Sequence, residues 1–171
     1  MKKNNIIYIA GGARSGKSGY ALTLASSYQN KIYIATAEAC DNEMKQRIEL
    51  HKAQRDKSYL TIEEPYRLGP VLLNIQEQYD VVIIDCLTLW LSNLFVKDEK
   101  ERAFEIDFFL KSLCSFSKPL IIISNELGMG IVPENKIARQ FRDEMGTLNQ
   151  KTAQKSGEAY FMVSGLPLKI K

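Results

Sequence analysis

Residues 11–18 read Gly11-Gly12-Ala13-Arg14-Ser15-Gly16-Lys17-Ser18, which fits the spacing G-x-x-x-x-G-K-[ST]. Glycines in such a run let successive backbone N–H groups turn toward one anion. A lysine at the seventh place neutralises terminal phosphate charge, and a hydroxyl at the eighth is a hard oxygen ligand for Mg2+. The chemistry indicated is capture of a nucleoside triphosphate. A second run, Val81-Val82-Ile83-Ile84-Asp85, ends in a carboxylate that could share the metal with Ser18. An aspartate in that place can equally cap a helix, but beside the glycine-rich loop the metal role is preferred.

His51 is the one histidine of the chain, so any chemistry needing an imidazole must use it. The segment from Asp41 to Arg55 has a helical period that places Met44, Ile48, His51 and Arg55 on one stripe, with Arg47 one turn before the histidine. Positive charge from Arg47, Lys52 and Arg55 is expected to lower the imidazole pKa, keep it neutral and nucleophilic, and draw phosphate. A covalent phosphorus–nitrogen intermediate is then chemically reasonable. Spacing alone favours a plainer reading, an exposed histidine on a solvated basic face.

These groups need a frame. Short apolar runs at 6–10, 32–35, 81–85, 120–124 and 159–163 alternate with segments of helical period near 17–28, 41–55, 66–78, 87–96, 102–116 and 134–155. That alternation predicts an α/β fold of the P-loop NTPase kind, a mostly parallel sheet flanked by helices. Tyr59–Ile62 and Leu166–Ile170 read as edge strands, antiparallel pairing being allowed there. Trp90, Leu91 and Leu94 read as core-facing, and the charge run Lys97–Arg102 as a solvated loop between helices. Asn125 or Glu126, after the 120–124 run, could orient a substrate hydroxyl or simply belong to a turn. Arg139 and Arg142 read as exposed helix arginines.

The chain has 171 residues, and no linker or repeat divides it, so residues 1–171 are expected to form one nucleotide-binding catalytic domain. With 23 Lys+Arg against 20 Asp+Glu and a mean hydropathy of −0.21, it is neither disordered nor a dedicated nucleic-acid binder. Cys40, Cys86 and Cys114 form no disulfide or zinc pattern, which points to a cytoplasmic, reducing compartment. Lys2-Lys3 followed by Ile6–Ala10 is cut short by Gly11-Gly12, too soon for an export signal or a membrane span.

The segments GGARSGKS, DNEMKQRIELHKAQR, LTIEEP, IIDCLTLWLSNL, SNELGMGIVPENKIARQFRDEMGTLNQ and VSGLPLKIK together resemble the bifunctional adenosylcobinamide kinase / adenosylcobinamide-phosphate guanylyltransferase family. The resemblance implies two reactions in cobalamin nucleotide-loop assembly. A nucleoside triphosphate, ATP or GTP, phosphorylates the aminopropanol hydroxyl of adenosylcobinamide, and GMP then passes from GTP to that phosphate through a GMP-histidine intermediate. By the same resemblance His51 is the nucleophile and Lys17 serves catalysis. Nucleotide contacts are implied at Gly11 through Ser18, Ile34, Ala35, Thr36, Lys52, Ala53, Gln54, Arg55, Glu63 and Asp85, with Ser18 and Asp85 on the metal. Relatives assemble as homo-oligomers, typically trimers.

Two departures stand out. Many relatives carry Arg-Pro after the histidine helix and a tryptophan three residues later, where this chain has Arg55-Asp56 and Tyr59; a looser turn is expected, without loss of activity. Asp85 stands where some members have glutamate, leaving it a metal or a ribose role. Two competing readings are a plain P-loop small-molecule kinase in which His51 is a surface residue, and a non-catalytic nucleotide switch. The segment around His51 counts against the first and the lack of partner-binding tails against the second.

Overall fold

The computed structural model describes residues 5–39, 42–53, 55–75 and 79–171; the side chains of Arg47, His51 and Ala53 lie outside that description. In chain order the elements are β1 (Ile6–Gly11), α1 (Lys17–Ala25), β2 (Lys31–Ala35), α2 (Asn42–Ala53), β3 (Tyr59–Glu63), α3 (Leu68–Asn74) and β4 (Val81–Asp85). There follow α4 (Leu87–Leu94), α5 (Glu99–Ser115), β5 (Leu120–Ile123), α6 (Lys136–Lys155), β6 (Glu158–Val163) and β7 (Leu166–Lys169). The strands form one seven-stranded sheet in the order β3-β2-β4-β5-β1-β6-β7. All neighbours pair in parallel except β6 and β7. Both expected edge strands are therefore found, β3 parallel to its neighbour and β7 antiparallel.

Side chains alternate across the pleat and divide the apolar residues between two layers. Tyr8, Ile34, Val82, Ile84, Leu120 and Ile122 face a layer that includes Leu68, Trp90, Leu91, Phe109 and Met145. Ile9, Tyr33, Ile83, Ile121 and Ile123 face the other side, where α1 lays Ala21 and Ala25 against the sheet. In α4, Leu87, Trp90, Leu91 and Leu94 fall at i, i+3, i+4 and i+7 and all are fully buried, as their spacing predicts.

The charge run behaves differently from expectation. Asp98 accepts hydrogen bonds from the backbone N–H groups of Lys100 (2.9 Å) and Glu101 (3.0 Å), so α5 starts at Glu99 and the run supplies its first turn. Lys97 pairs with Glu101 one turn on. Arg102 is not solvated at all: it is buried, makes a two-pronged pair with Glu144 on α6 (2.9 and 3.1 Å), and lies 4.3 Å over the Phe95 ring. A helix–helix contact within the protein supplied the partner that local composition could not reveal.

Trp90 is the largest fully buried side chain. Its ring meets Phe109 at 5.1 Å, and its indole N–H donates to the Tyr66 carbonyl at 2.8 Å. Trp90→Ala is expected to lower the unfolding free energy by about 3–5 kcal/mol through the cavity and the orphaned carbonyl. Urea titration followed by far-ultraviolet circular dichroism measures this, and a loss below about 1 kcal/mol would contradict the packing described.

Candidate active site

The phosphate-type loop begins where β1 ends. Gly11 has φ of 152°, and a Cβ there would come 2.7 Å from the Met162 carbonyl oxygen and 2.8 Å from Ser15 Oγ. Gly16, at φ of 93°, is the N-cap of α1. Only glycine meets both demands without strain. Between them Arg14 takes a left-handed φ of 57° and points to solvent with Gly12 and Ala13, while Ser15 and Ser18 are half-buried. Lys17 is buried and its ammonium donates to the carbonyls of Gly11 (3.2 Å) and Gly12 (2.5 Å), which anchors it at the loop. The dipole of α1 adds positive potential at the same place.

Asp85, at the carboxyl end of β4, reaches this loop. Ser18 Oγ donates to Asp85 Oδ2 at 3.2 Å, and the Tyr33 hydroxyl donates to the same oxygen. Two strand facts bring Tyr33 there. Ala35 stands opposite Asp85, and Tyr33 is two residues earlier on the same face, a diagonal neighbour. Burial, and then the Asp85 charge, push the Tyr33 hydroxyl well above the ordinary tyrosine range, so it stays a proton donor to the carboxylate. Sequence reasoning missed Tyr33; the available signal was an aromatic with a hydroxyl in step with the acid on the adjacent strand. The Ser18 and Asp85 oxygens form a hard donor pair beside the phosphate loop, and they suit Mg2+.

The strand ends around Asp85 are latched together. Thr36 Oγ1 donates to the Cys86 carbonyl (2.8 Å) and accepts from the Cys86 N–H (2.9 Å). The Asn93 amide donates to the carbonyls of Thr36 (2.7 Å) and Pro65 (3.1 Å). Within the Ile34-Ala35-Thr36 stretch, Ile34 is a core residue, the Ala35 carbonyl accepts from Glu64 (2.9 Å), and Thr36 supplies the latch.

His51 falls in the last turn of α2, where Met44 and Ile48 are half-buried, consistent with a docked stripe. Its imidazole and the Arg47 side chain, and with them the expected field around the histidine, lie outside the described residues, as do Asp41 and Gln54; of Ala53 only the backbone is described. Immediately after the histidine, Lys52 pairs with Glu63 on β3 at 2.9 Å and approaches Glu49 at 3.6 Å. The Arg55 guanidinium lies 4.0 Å over the Tyr33 ring, within reach of cation–π attraction. Lys52, Arg55, Asp56, Tyr59, Thr61 and Glu63 line a cleft of about 360 Å³. A larger cavity of about 470 Å³, lined by residues such as Ile32, Ile62 and Val71, lies toward the opposite layer and holds none of these groups.

The turn after this helix is not loose. Asp56 Oδ1 accepts from the Ser58 N–H at 2.7 Å and from the Ser58 hydroxyl, and Asp56 Oδ2 lies 3.6 Å from Lys31. Those Ser58 hydrogen bonds hold the exposed Asp56 carboxyl below its ordinary pKa. A side-chain acceptor thus supplies the local constraint that a proline would otherwise impose. At the end of β5, the Asn125 N–H donates to Thr88 Oγ1 (2.9 Å), its carbonyl accepts from Asn149 (3.0 Å), and Glu126 accepts from the Gly128 N–H (2.7 Å). Arg139 closes the following loop on the carbonyls of Pro133 and Glu134, and Arg142 pairs with Asp143.

Residues 7–170 match the family described as cobinamide kinase / cobinamide phosphate guanyltransferase. Over 165 residues, 95% of each chain, the protein is 41% identical to a bifunctional adenosylcobalamin biosynthesis protein of Pseudomonas aeruginosa. It is 35% identical over 180 residues to one of Escherichia coli K12, covering 97% of this chain and 99% of the relative. Among solved structures, the RadB recombinase superposes with a TM-score of 0.52 at 13% identity, over 92% of this chain and 74% of that one. That likeness concerns the fold, an α/β sheet of the P-loop NTPase kind.

Cys86 allows a test of how closed the strand ends are. Burial, and secondarily the Asp85 charge, push its thiol up to about 11. A raised thiol pKa means less thiolate at a given pH, roughly one part in a thousand at pH 8. Iodoacetamide at pH 8 should therefore leave Cys86 unmodified in the native protein, while exposed Cys114 is alkylated; peptide mapping reads both. Rapid native labelling of Cys86 would contradict the closed latch.

Proposed function

The chain belongs to the cobinamide kinase / cobinamide phosphate guanyltransferase family and is a bifunctional enzyme of adenosylcobalamin biosynthesis; we propose that one phosphate loop serves both of its reactions and that His51 carries GMP between them. The observation that carries this reading is the Ser18–Asp85 contact beside the Lys17-anchored loop, with the α2 cleft supplying a second set of cationic groups. Nucleotide contacts are proposed at Gly11 through Ser18, at Ile34, Ala35 and Thr36, at Lys52, Ala53, Gln54 and Arg55, and at Glu63 and Asp85. Ser18 and Asp85 would hold Mg2+, which when bound neutralises phosphate charge in the transition state.

In the kinase step the loop N–H groups and Lys17 hold the triphosphate while the aminopropanol hydroxyl of adenosylcobinamide attacks the γ-phosphorus. The bond to the β,γ-bridging oxygen breaks, a nucleoside diphosphate leaves and the hydroxyl proton is released. In the transfer step an imidazole nitrogen of His51 attacks the α-phosphorus of GTP and pyrophosphate leaves. A phosphate oxygen of adenosylcobinamide phosphate then attacks the same phosphorus and the imidazole departs, giving the GDP derivative. Lys52 is suited to assist, because its pair with Glu63 is surface-exposed and contributes at most about 1 kcal/mol, so the ammonium can turn to a phosphate. The same reading places the enzyme in the cytoplasm as a homo-oligomer, typically a trimer. No described helix is long and apolar enough to cross a membrane.

GTP labelled at the α-phosphorus should leave label on the protein, and GTP labelled at the γ-phosphorus should not. The adduct should be acid-labile and alkali-stable, as a phosphoramidate is, because protonating the bridging nitrogen makes it a leaving group. His51→Ala should abolish labelling and guanylyl transfer yet keep phosphorylation of cobinamide, whereas Lys17→Ala and chelation of divalent ions should stop both reactions. Normal guanylyl transfer by His51→Ala would remove the covalent role.

A further inference from the structure

The VSGLPLKIK segment has no part in the chemistry described above, yet it touches the phosphate loop. Val163, the last residue of β6, pairs with Leu166, the first of β7, and Ser164 and Gly165 form the turn between them with φ of 50° and 84°. Positive φ at both central residues is the habit of a tight I′ hairpin turn. From this turn the Gly165 N–H donates to the Ser15 carbonyl at 3.0 Å. The backbones meet closely: a Cβ on Gly16 would stand 3.1 Å from Gly165 Cα, and one on Gly11 would stand 2.7 Å from the Met162 carbonyl oxygen. The Ser15 hydroxyl is buried without a hydrogen-bond partner among the described residues, so this attachment runs through the carbonyl.

The Ser15–Gly16 peptide is trans, and in a trans peptide the carbonyl and the following N–H point in opposite directions. A donor that captures the Ser15 carbonyl from the hairpin side therefore turns the Gly16 N–H away from the hairpin. We propose that the β6–β7 turn braces the phosphate loop, with Gly165 a positioning residue that fixes the Ser15–Gly16 peptide so that the Gly16 N–H is directed at the bound triphosphate. The turn touches no substrate; it sets in advance the direction of an amide that the nucleotide would otherwise have to order on binding. The inference rests on the reading that one loop holds the triphosphate for both reactions.

Gly165→Val places a β-branched residue at φ of 84°, which displaces the turn. Its Kd for GTP by equilibrium dialysis, and its KM for nucleotide in both reactions, should rise about tenfold, the scale of one charge-assisted hydrogen bond. kcat should change by less than about twofold, since the amide acts on bound and reacting phosphate alike. Gly165→Asn, which tolerates a left-handed backbone, should restore binding, and Leu168→Ser, which loosens β7 away from the turn, should leave KM unchanged. In the unaltered protein, reciprocity requires that saturating GTP raise the exchange protection of the Gly165 amide about tenfold; this reading does not depend on any variant folding. Wild-type GTP affinity in Gly165→Val, an equal KM rise in Leu168→Ser, or unchanged Gly165 protection would overturn the brace. If Lys17→Ala also binds GTP normally, the shared-loop reading itself fails, whereas loss of binding in that variant beside a normal Gly165→Val overturns the brace alone.

Discussion

The site depends on a short contact made across an intervening strand. Ser18 is carried by the helix that follows β1, Asp85 ends β4, and β5 lies between those strands in the sheet. For the hydroxyl to reach the carboxylate, α1 must lie low over β5. Its sheet-facing positions are Ala21 and Ala25, the smallest side chains that still exclude water, against Ile83, Ile121 and Ile123. Small residues on the helix and β-branched residues on the strands set the height at which the loop stands above the acid. The core packing and the Ser18–Asp85 geometry are thus one constraint, and bulk added at Ala21 would be felt at Ser18.

From that contact the other groups follow in sequence. Tyr33 shares the face and the acceptor oxygen of Asp85, and its ring lies beneath Arg55, four residues after His51. A chain of neighbours therefore runs from the phosphate loop through the acid and the phenol to the end of the histidine helix. On the far side, β6 and its hairpin back the loop. The loop thus stands between a half-buried carboxylate network and a backbone buttress, and the α2 groups at its margin are half-exposed and only weakly paired. A closely packed centre with a looser margin is in keeping with the proposal that two different phosphorus atoms of the nucleotides meet two nucleophiles.

Much of this could be read from the chain before its fold was known, and the reasons are local. Gly11 to Ser18 is legible because each position answers a backbone or charge demand internal to the loop. Asp85 is legible because it ends an apolar run, and Trp90, Leu91 and Leu94 because their spacing has a period. What escaped reading depended on distant partners. Arg102 reads as solvated from its neighbours in the chain, but Glu144, 42 residues later, lies against it. Tyr33 matters only through the register, which sets it diagonally from Asp85. Asp56 looked like the loss of a proline, although its carboxylate holds the same turn. The insertion of β5 between β1 and β4, like the hairpin beneath the loop, is a matter of strand order, which hydrophobic patterning does not encode.

The open strand β7 has a consequence for how the molecule behaves in a crowded solution. Its residues are all exposed, among them Leu166 and Leu168, and an exposed edge of apolar residues is a template on which another chain can polymerise. Here Pro167 withholds an amide from that edge, and Lys169, held to Glu158 at 2.9 Å, sets a charge two residues further along. The strand is four residues long. Cross-β growth is thereby denied a continuous ladder at this border of the sheet, and the hairpin can stay thin enough to slip behind the phosphate loop without becoming a seed for fibres.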